Sequence, residues 1–197
     1  MAFLEPLDKN LHPDLAADFQ IFEEILGFVP NSLLTMQRRP DIVRGFGELT
    51  KAVMPKDGEV HLGFKRLIAH FASRAVGCQY CEAHSLVAAK IHGISQEKLD
   101  QIWEYQTSDL FTDAERVALD YALAAGSVPN AVDQELVDRM KQYWTENQIV
   151  EILGVVCLYG FLNRWNDSMA TDLEESPKAM GERVLASGGW TGGKHLS

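Results

Sequence analysis

Apolar residues recur along most of this chain at intervals of three and four, the spacing that lines one face of an α-helix, while the strict alternation of strands is hard to find. After Pro13, the residues Leu15, Phe19, Phe22 and Ile25-Leu26 form the first such face, and Gly27 ends it. Pro30-Asn31 introduces a short segment, Ser32 to Arg38, which Pro40 is expected to stop. Ile42, Val43, Phe46, Leu49 and Val53 mark an amphipathic helix over Asp41 to Met54, followed by the turn cluster Pro55-Lys56-Asp57-Gly58. A long helix is predicted from Glu59 to Val76, with Leu62, Leu67, Ile68, Phe71 and Ala72 on a broad apolar face, and Gly77 breaks it. Cys78 to Ile91 forms the next helix, and His92-Gly93 supplies its stop.

Further on, Ser95 caps a short predicted helix through Tyr105, and Thr112 with Glu115 has capping-box spacing before an Ala-rich helix ending near Gly126. A loop around Pro129 leads to a helix over Val132 to Tyr143. Thr145 and Gln148 form a second capping box. The helix they open, to about Met169, is apolar almost all round and is expected at the centre of the core, with Cys157 buried there as a small apolar residue. Gly188-Gly189-Trp190-Thr191-Gly192-Gly193 in the tail predicts poor order unless Trp190 docks on another surface. The pattern therefore predicts an all-α chain of about eight to ten helices. It is organised as one domain over residues 1–175 and a tail, 176–197, that packs on the domain or on a partner subunit.

Composition narrows the picture. A chain of 197 residues, 46% hydrophobic and 23% charged, suits one globular domain. A net charge of −10 and a pI near 5.0 exclude a nucleic-acid backbone or an anionic membrane as the main partner. The first residues carry acids where a signal peptide needs a basic segment. The most apolar stretch, Ile149 to Leu162, is interrupted by Glu151 and falls short of the roughly 20 residues a membrane span requires. Three cysteines are too few for a disulfide scaffold, so a reducing cytoplasm is the expected compartment. A Cys78–Cys81 disulfide there is expected to be catalytic rather than structural.

Two of those cysteines lie in Gly77-Cys78-Gln79-Tyr80-Cys81-Glu82-Ala83-His84. A Cys-x-x-Cys pair has few uses: dithiol–disulfide chemistry, half a metal site, or a structural bridge. On a helix, Cys81 lies roughly 60° around from Cys78 and one turn along, and His84 roughly 60° further, so Cys81 is flanked by a thiol and an imidazole. The imidazole can accept a thiol proton, and the amides of the helix start are expected to lower both thiol pKa values. Tyr80 and Glu82 are predicted to point elsewhere. A zinc site needs third and fourth ligands from His84 and one of His61, His70, His92 or Cys157. With no second Cys-x-x-Cys or paired-His motif, neither a metal nor another cofactor is expected. A thioredoxin reading requires strands around the motif, and this segment sits between helices.

Ser73 to His84 resembles the redox motif of the alkyl hydroperoxidase D / carboxymuconolactone decarboxylase family. Val29-Pro30-Asn31, Phe111 to Glu115 and Leu162 to Asp167 are similar to segments of its longer, peroxidase-related members. The resemblance implies an all-α, AhpD-like bundle of packed helical hairpins and a homo-oligomer, whether dimer, trimer or hexamer. It also implies a thiol-dependent peroxidase in which Cys81 attacks a hydroperoxide, Cys78 resolves the sulfenic acid as a disulfide, and an external thiol reductant reopens it. His84 is the third catalytic candidate. In the better-known family pattern the histidine stands four residues after the second cysteine, and here it stands three after. The family's relay glutamate falls where this chain reads Phe64-Lys65-Arg66-Leu67, with Arg66 in its place and Glu48, Glu59 or Asp167 as candidate substitutes. His70, one turn beyond Arg66, is expected on a polar face or as a satisfied core histidine, with a place facing the site as the alternative. Asn163, Arg164, Asn166 and Asp167 are expected to form a structural polar cluster. Two other functions stay open: the lactone chemistry of the family's decarboxylases, and a metal-binding or assembly module.

Overall fold

Four of the helix starts among the described residues are closed by a capping side chain. Thr112 Oγ1 accepts from Glu115 N (3.2 Å) while Thr112 N donates to Glu115 Oε2 (2.9 Å), and Thr145 with Gln148 does the same at 3.2 and 3.0 Å. A computed structural model describes residues 2–196. Among them it has ten α-helices and no strand: α1 (Ala16–Leu26), α2 (Asn31–Met36), α3 (Pro40–Val53), α4 (Leu62–Ala75), α5 (Gln79–Ile91), α6 (Gln96–Asp100), α7 (Asp113–Gly126), α8 (Gln134–Tyr143), α9 (Glu146–Met169) and α10 (Glu175–Met180). None of the described helices is long and apolar enough to cross a membrane.

Several boundaries differ from those expected. Pro40 opens α3 at its first turn, where its missing N–H costs nothing, instead of merely ending the segment before it. α4 begins at Leu62 because the amides of Glu59 and Val60 donate to the carboxylate of Glu151, at 3.0 and 3.2 Å, rather than to a helical carbonyl. That carboxylate also holds the buried Lys65 ammonium at 2.7 Å, which fixes α4 against α9. The segment after Ser95 splits into α6 and a 3-10 turn, Ile102–Glu104, and α8 starts at Gln134 because Asp133 caps it.

The α4–α5 hairpin is the centre of the molecule, with α7 and α9 packed on α4. α9 touches α3, α4, α5, α7 and α8 but keeps an open stripe: Val150, Leu153 and Phe161 are exposed, and Cys157 is exposed rather than buried among its neighbours as expected. The glycine-rich tail is docked. Trp190 is buried, its Nε1 donates to Gln79 O at 3.0 Å, and its ring lies over Gly181 so closely that a Cβ there would stand 2.4 Å away.

Candidate active site

Chain geometry at the α4–α5 junction places the first cysteine. Gly77 adopts φ +72°, Cys78 N donates to Ser73 O (3.1 Å) and Gly77 N to Arg74 O (3.0 Å), a Schellman end to α4. Cys78 is thus the last residue of one helix's terminating motif and the N-cap of the next. Any side chain at position 77 would have to hold a left-handed conformation, costing roughly 1 kcal/mol.

One turn on, Cys81 forms part of the wall of an apolar cleft with about 580 Å³ of empty space, counting its open mouth. The cleft lies between α1, α2, α3, α4, α5 and α9, with Phe22, Phe46, Tyr80 and Tyr159 among its lining. The two cysteines are free, lie near each other, and are 0% and 2% exposed. Burial, then the hydrogen bond and charge of Cys78, push the Cys81 thiol well up. Asn166, whose Nδ2 donates to Cys81 Sγ at 3.4 Å, pulls the other way. The helix start was expected to lower this pKa. Its field contributes about 0.3–1 kcal/mol, against the several units by which full burial shifts a thiol, so burial wins. In this arrangement Cys81 carries its proton.

His84 borders the same cleft, but both ring nitrogens are directed away from the thiols. Nδ1 lies 3.0 Å from Tyr80 O and Nε2 lies 2.8 Å from Glu174 Oε2. Carbonyl and carboxylate are both acceptors, so the ring sits between two acceptors and offers neither nitrogen to a thiol. Glu174 also accepts from Asn31 N (2.6 Å) and from Tyr80 OH (3.1 Å). Burial alone would raise its carboxyl; the charge and hydrogen bond of His84, with the amides, outweigh it and hold the group below its usual range. Tyr80 does not point elsewhere: its ring stacks on that of His84, centroids 4.0 Å apart, and lines the cleft.

The remaining candidates separate. Glu82 is buried outside the cleft, 3.7 Å from Arg74, with its carboxyl raised to about 7 mainly by burial. His70 is a core histidine, its Nδ1 3.1 Å from Glu82 O, and burial lowers it to about 4. Glu48 pairs with Lys51, Glu59 meets Thr145 and Asn147, and Asp167 pairs with Lys194, so none of the three is the acid beside His84. The polar cluster of α9 divides: Asn166 reaches Cys81, whereas Asn163, Arg164 and Asp167 border a second cleft that also touches Cys78. Arg66 joins the first cleft, donating from Nη1 to Tyr159 OH at 3.0 Å. Among the described residues no three His, Cys, Asp or Glu side chains come together as metal ligands.

Fold and site define a helical protein built around a cysteine-pair hairpin. Residues 40–124 match the carboxymuconolactone decarboxylase family, and the chain belongs to that family, with its AhpD-like all-α fold. It is similar to the structure of a cysteine-to-alanine variant of the debrominase Bmp8 in complex with 2,3,4-tribromopyrrole, with TM-score 0.87 and 34% identity over 91% of this chain and 96% of that one. It is also similar to a peroxidase-related protein from Ralstonia eutropha JMP134, with TM-score 0.74 and 25% identity over 93% and 97% of the two chains. The uncharacterized protein YnjA of Escherichia coli (strain K12) is 32% identical over 93 residues. That match is 47% of this chain and spans half the length, 50%, of that curated relative.

Proposed function

We propose that the protein is a dithiol reductase: the Cys78–Cys81 pair delivers two electrons to a compact apolar substrate held in the cleft. The observation that carries this reading is one sulfur on the wall of an aromatic-lined cleft with a second sulfur beside it. Cys81 is the reacting sulfur, since it faces the cleft, and Cys78 closes the disulfide. The buried thiol reacts after the substrate displaces the cleft's water and its proton is released to the reaction. The amide of Asn166 then stabilises charge on sulfur.

A halogenated aromatic is the favoured substrate, on the apolar lining and the similarity to a debrominase. There, the carbon–halogen bond and two S–H bonds are exchanged for a C–H bond, an S–S bond and a hydrogen halide. The pair of adjacent thiols also favours a second reading, reduction of an organic hydroperoxide. In that case the O–O bond and two S–H bonds become an alcohol, water and the disulfide. In either case an external thiol reductant restores the dithiol. The test measures halide release from tribromopyrrole and loss of an alkyl hydroperoxide, each with excess dithiol. Cys81→Ser is expected to fall to background, and Cys78→Ser, without external thiol, to react once at Cys81 without forming the Cys78–Cys81 disulfide that the wild type forms. A Cys81→Ser protein that keeps the full rate overturns the reading, including in favour of lactone chemistry, which needs no thiol.

A further inference from the structure

Among the described residues one lysine and one arginine are buried, Lys65 and Arg66. Lys65 is answered by Glu151 at 2.7 Å. Arg66, 5% exposed, has no carboxylate within 4.0 Å among the described residues, and its Nε and Nη2 have no hydrogen-bond partner. The cleft's other basic side chain, His84, already has the Glu174 carboxylate 2.8 Å away. An enclosed guanidinium with no counter-charge is costly, and it is expensive to keep unless something supplies the missing anion.

The geometry points to that anion being part of the substrate: we infer that the cleft takes an aromatic compound bearing one oxyanion, and that Arg66 holds it. This rests on the cleft being the substrate site of the proposed reductase. The third guanidinium nitrogen, Nη1, is spent on Tyr159 OH. The two free nitrogens, Nε and Nη2, share one edge of the planar group, a fork that matches a carboxylate or clasps a single phenolate oxygen. Tyr159 reinforces the site. Its oxygen accepts from Arg66, so its own hydrogen is left to donate to the same anion. Phe22, Phe46 and Leu158 offer apolar contact, and the neutral polar groups of the wall, among them Ser32, Thr50 and Asn166, bring no charge to match an anion. The substrate class is therefore a small apolar ring with one acidic substituent, ionised at neutral pH.

Calorimetry on the reduced full-length protein compares two pairs of near-isosteres: bromobenzoate against bromobenzamide, and tribromophenol against its methyl ether. The wild type is expected to prefer at least one anion over its neutral partner by about tenfold or more. The pair showing the larger ratio separates carboxylate from phenolate. Arg66→Met is expected to reduce that ratio to near one while leaving the affinity for the neutral partner unchanged. Arg66→Lys keeps the charge without the fork and is expected to fall between. No preference in the wild type, whether because members of a pair bind alike or none binds, overturns the inference. So does a preference that survives in Arg66→Met, or an Arg66→Met whose only change is the alkylation rate of Cys81, which would make Arg66 a thiolate neighbour. If Arg66→Met does not fold, the wild-type ratios and Arg66→Lys decide. Binding needs no turnover, so this result is independent of whether Cys81→Ser abolishes reduction.

Discussion

Glu174 joins three pieces of chain that are remote in sequence: the amide of Asn31, the hydroxyl of Tyr80 and the ring of His84 all meet its carboxylate. Removing it leaves a buried imidazole, a buried phenol and a backbone amide without their acceptor. Glu174→Ala is expected to cost about 3 kcal/mol, read as a lower urea midpoint. Because the folded carboxyl is held below its usual 4.5, its contribution is complete above that pH and is lost as pH falls through the lower folded value. The variant should therefore lose less stability than the wild type on acidification below pH 4.5. The cysteine pair and His84 were visible as a spacing. Glu174 was not, because helical geometry gives angles between residues of one helix and says nothing about what the tail brings to them. Tyr80 was misplaced for the same reason: its ring is turned into the cleft by His84 and Glu174, neither of which a helical wheel weighs.

At the level of elements, the α4–α5 hairpin carries two enclosed groups with opposed titrations. Glu82, raised to about 7, keeps its proton in the folded state between pH 4.5 and 7 after the unfolded chain has lost it, so its contribution falls as pH rises through that window. His70, lowered to about 4, is neutral in the folded state between pH 4 and 6.5 while the unfolded chain is charged, so its contribution rises with pH there. The two oppose each other between 4.5 and 6.5. Glu82→Gln should unmask His70: the variant is expected to gain stability with pH across that interval more steeply than the wild type, by up to about 1.4 kcal/mol per unit. Denaturant titrations at several pH values measure it. Helix starts at Ser95, Thr112 and Thr145 are encoded by their own capping side chains, which is why they can be read locally. The start of α4 is set by Glu151 from another helix, and no local pattern carries that.

Taken whole, the molecule folds as the hydrophobic spacing predicted, but α9 shows where such spacing misleads. A helix apolar on every side was expected to be enclosed, yet Val150 is 69% and Phe161 41% exposed, with Cys157 in the open between them. Period alone does not say whether the last face meets another helix of the same chain. A homo-oligomer stands as a proposal, with this stripe as its candidate face. Sedimentation of the wild type at micromolar concentration is expected to give a mass above one chain, and Leu153→Glu with Phe161→Glu a single-chain mass. A monomeric wild type removes the proposal.

The late position of Glu174 has a consequence for the order of events on the ribosome. A growing chain releases Cys78, Cys81 and His84 well before the carboxylate that anchors the imidazole is made. Until the last segment emerges and Trp190 seats on Gln79, that anchor is missing and the nascent thiols lack their finished enclosure. A premature stop anywhere between α9 and residue 174 would thus leave in the cell a product that carries both sulfurs but lacks the groups that guard them against stray oxidants.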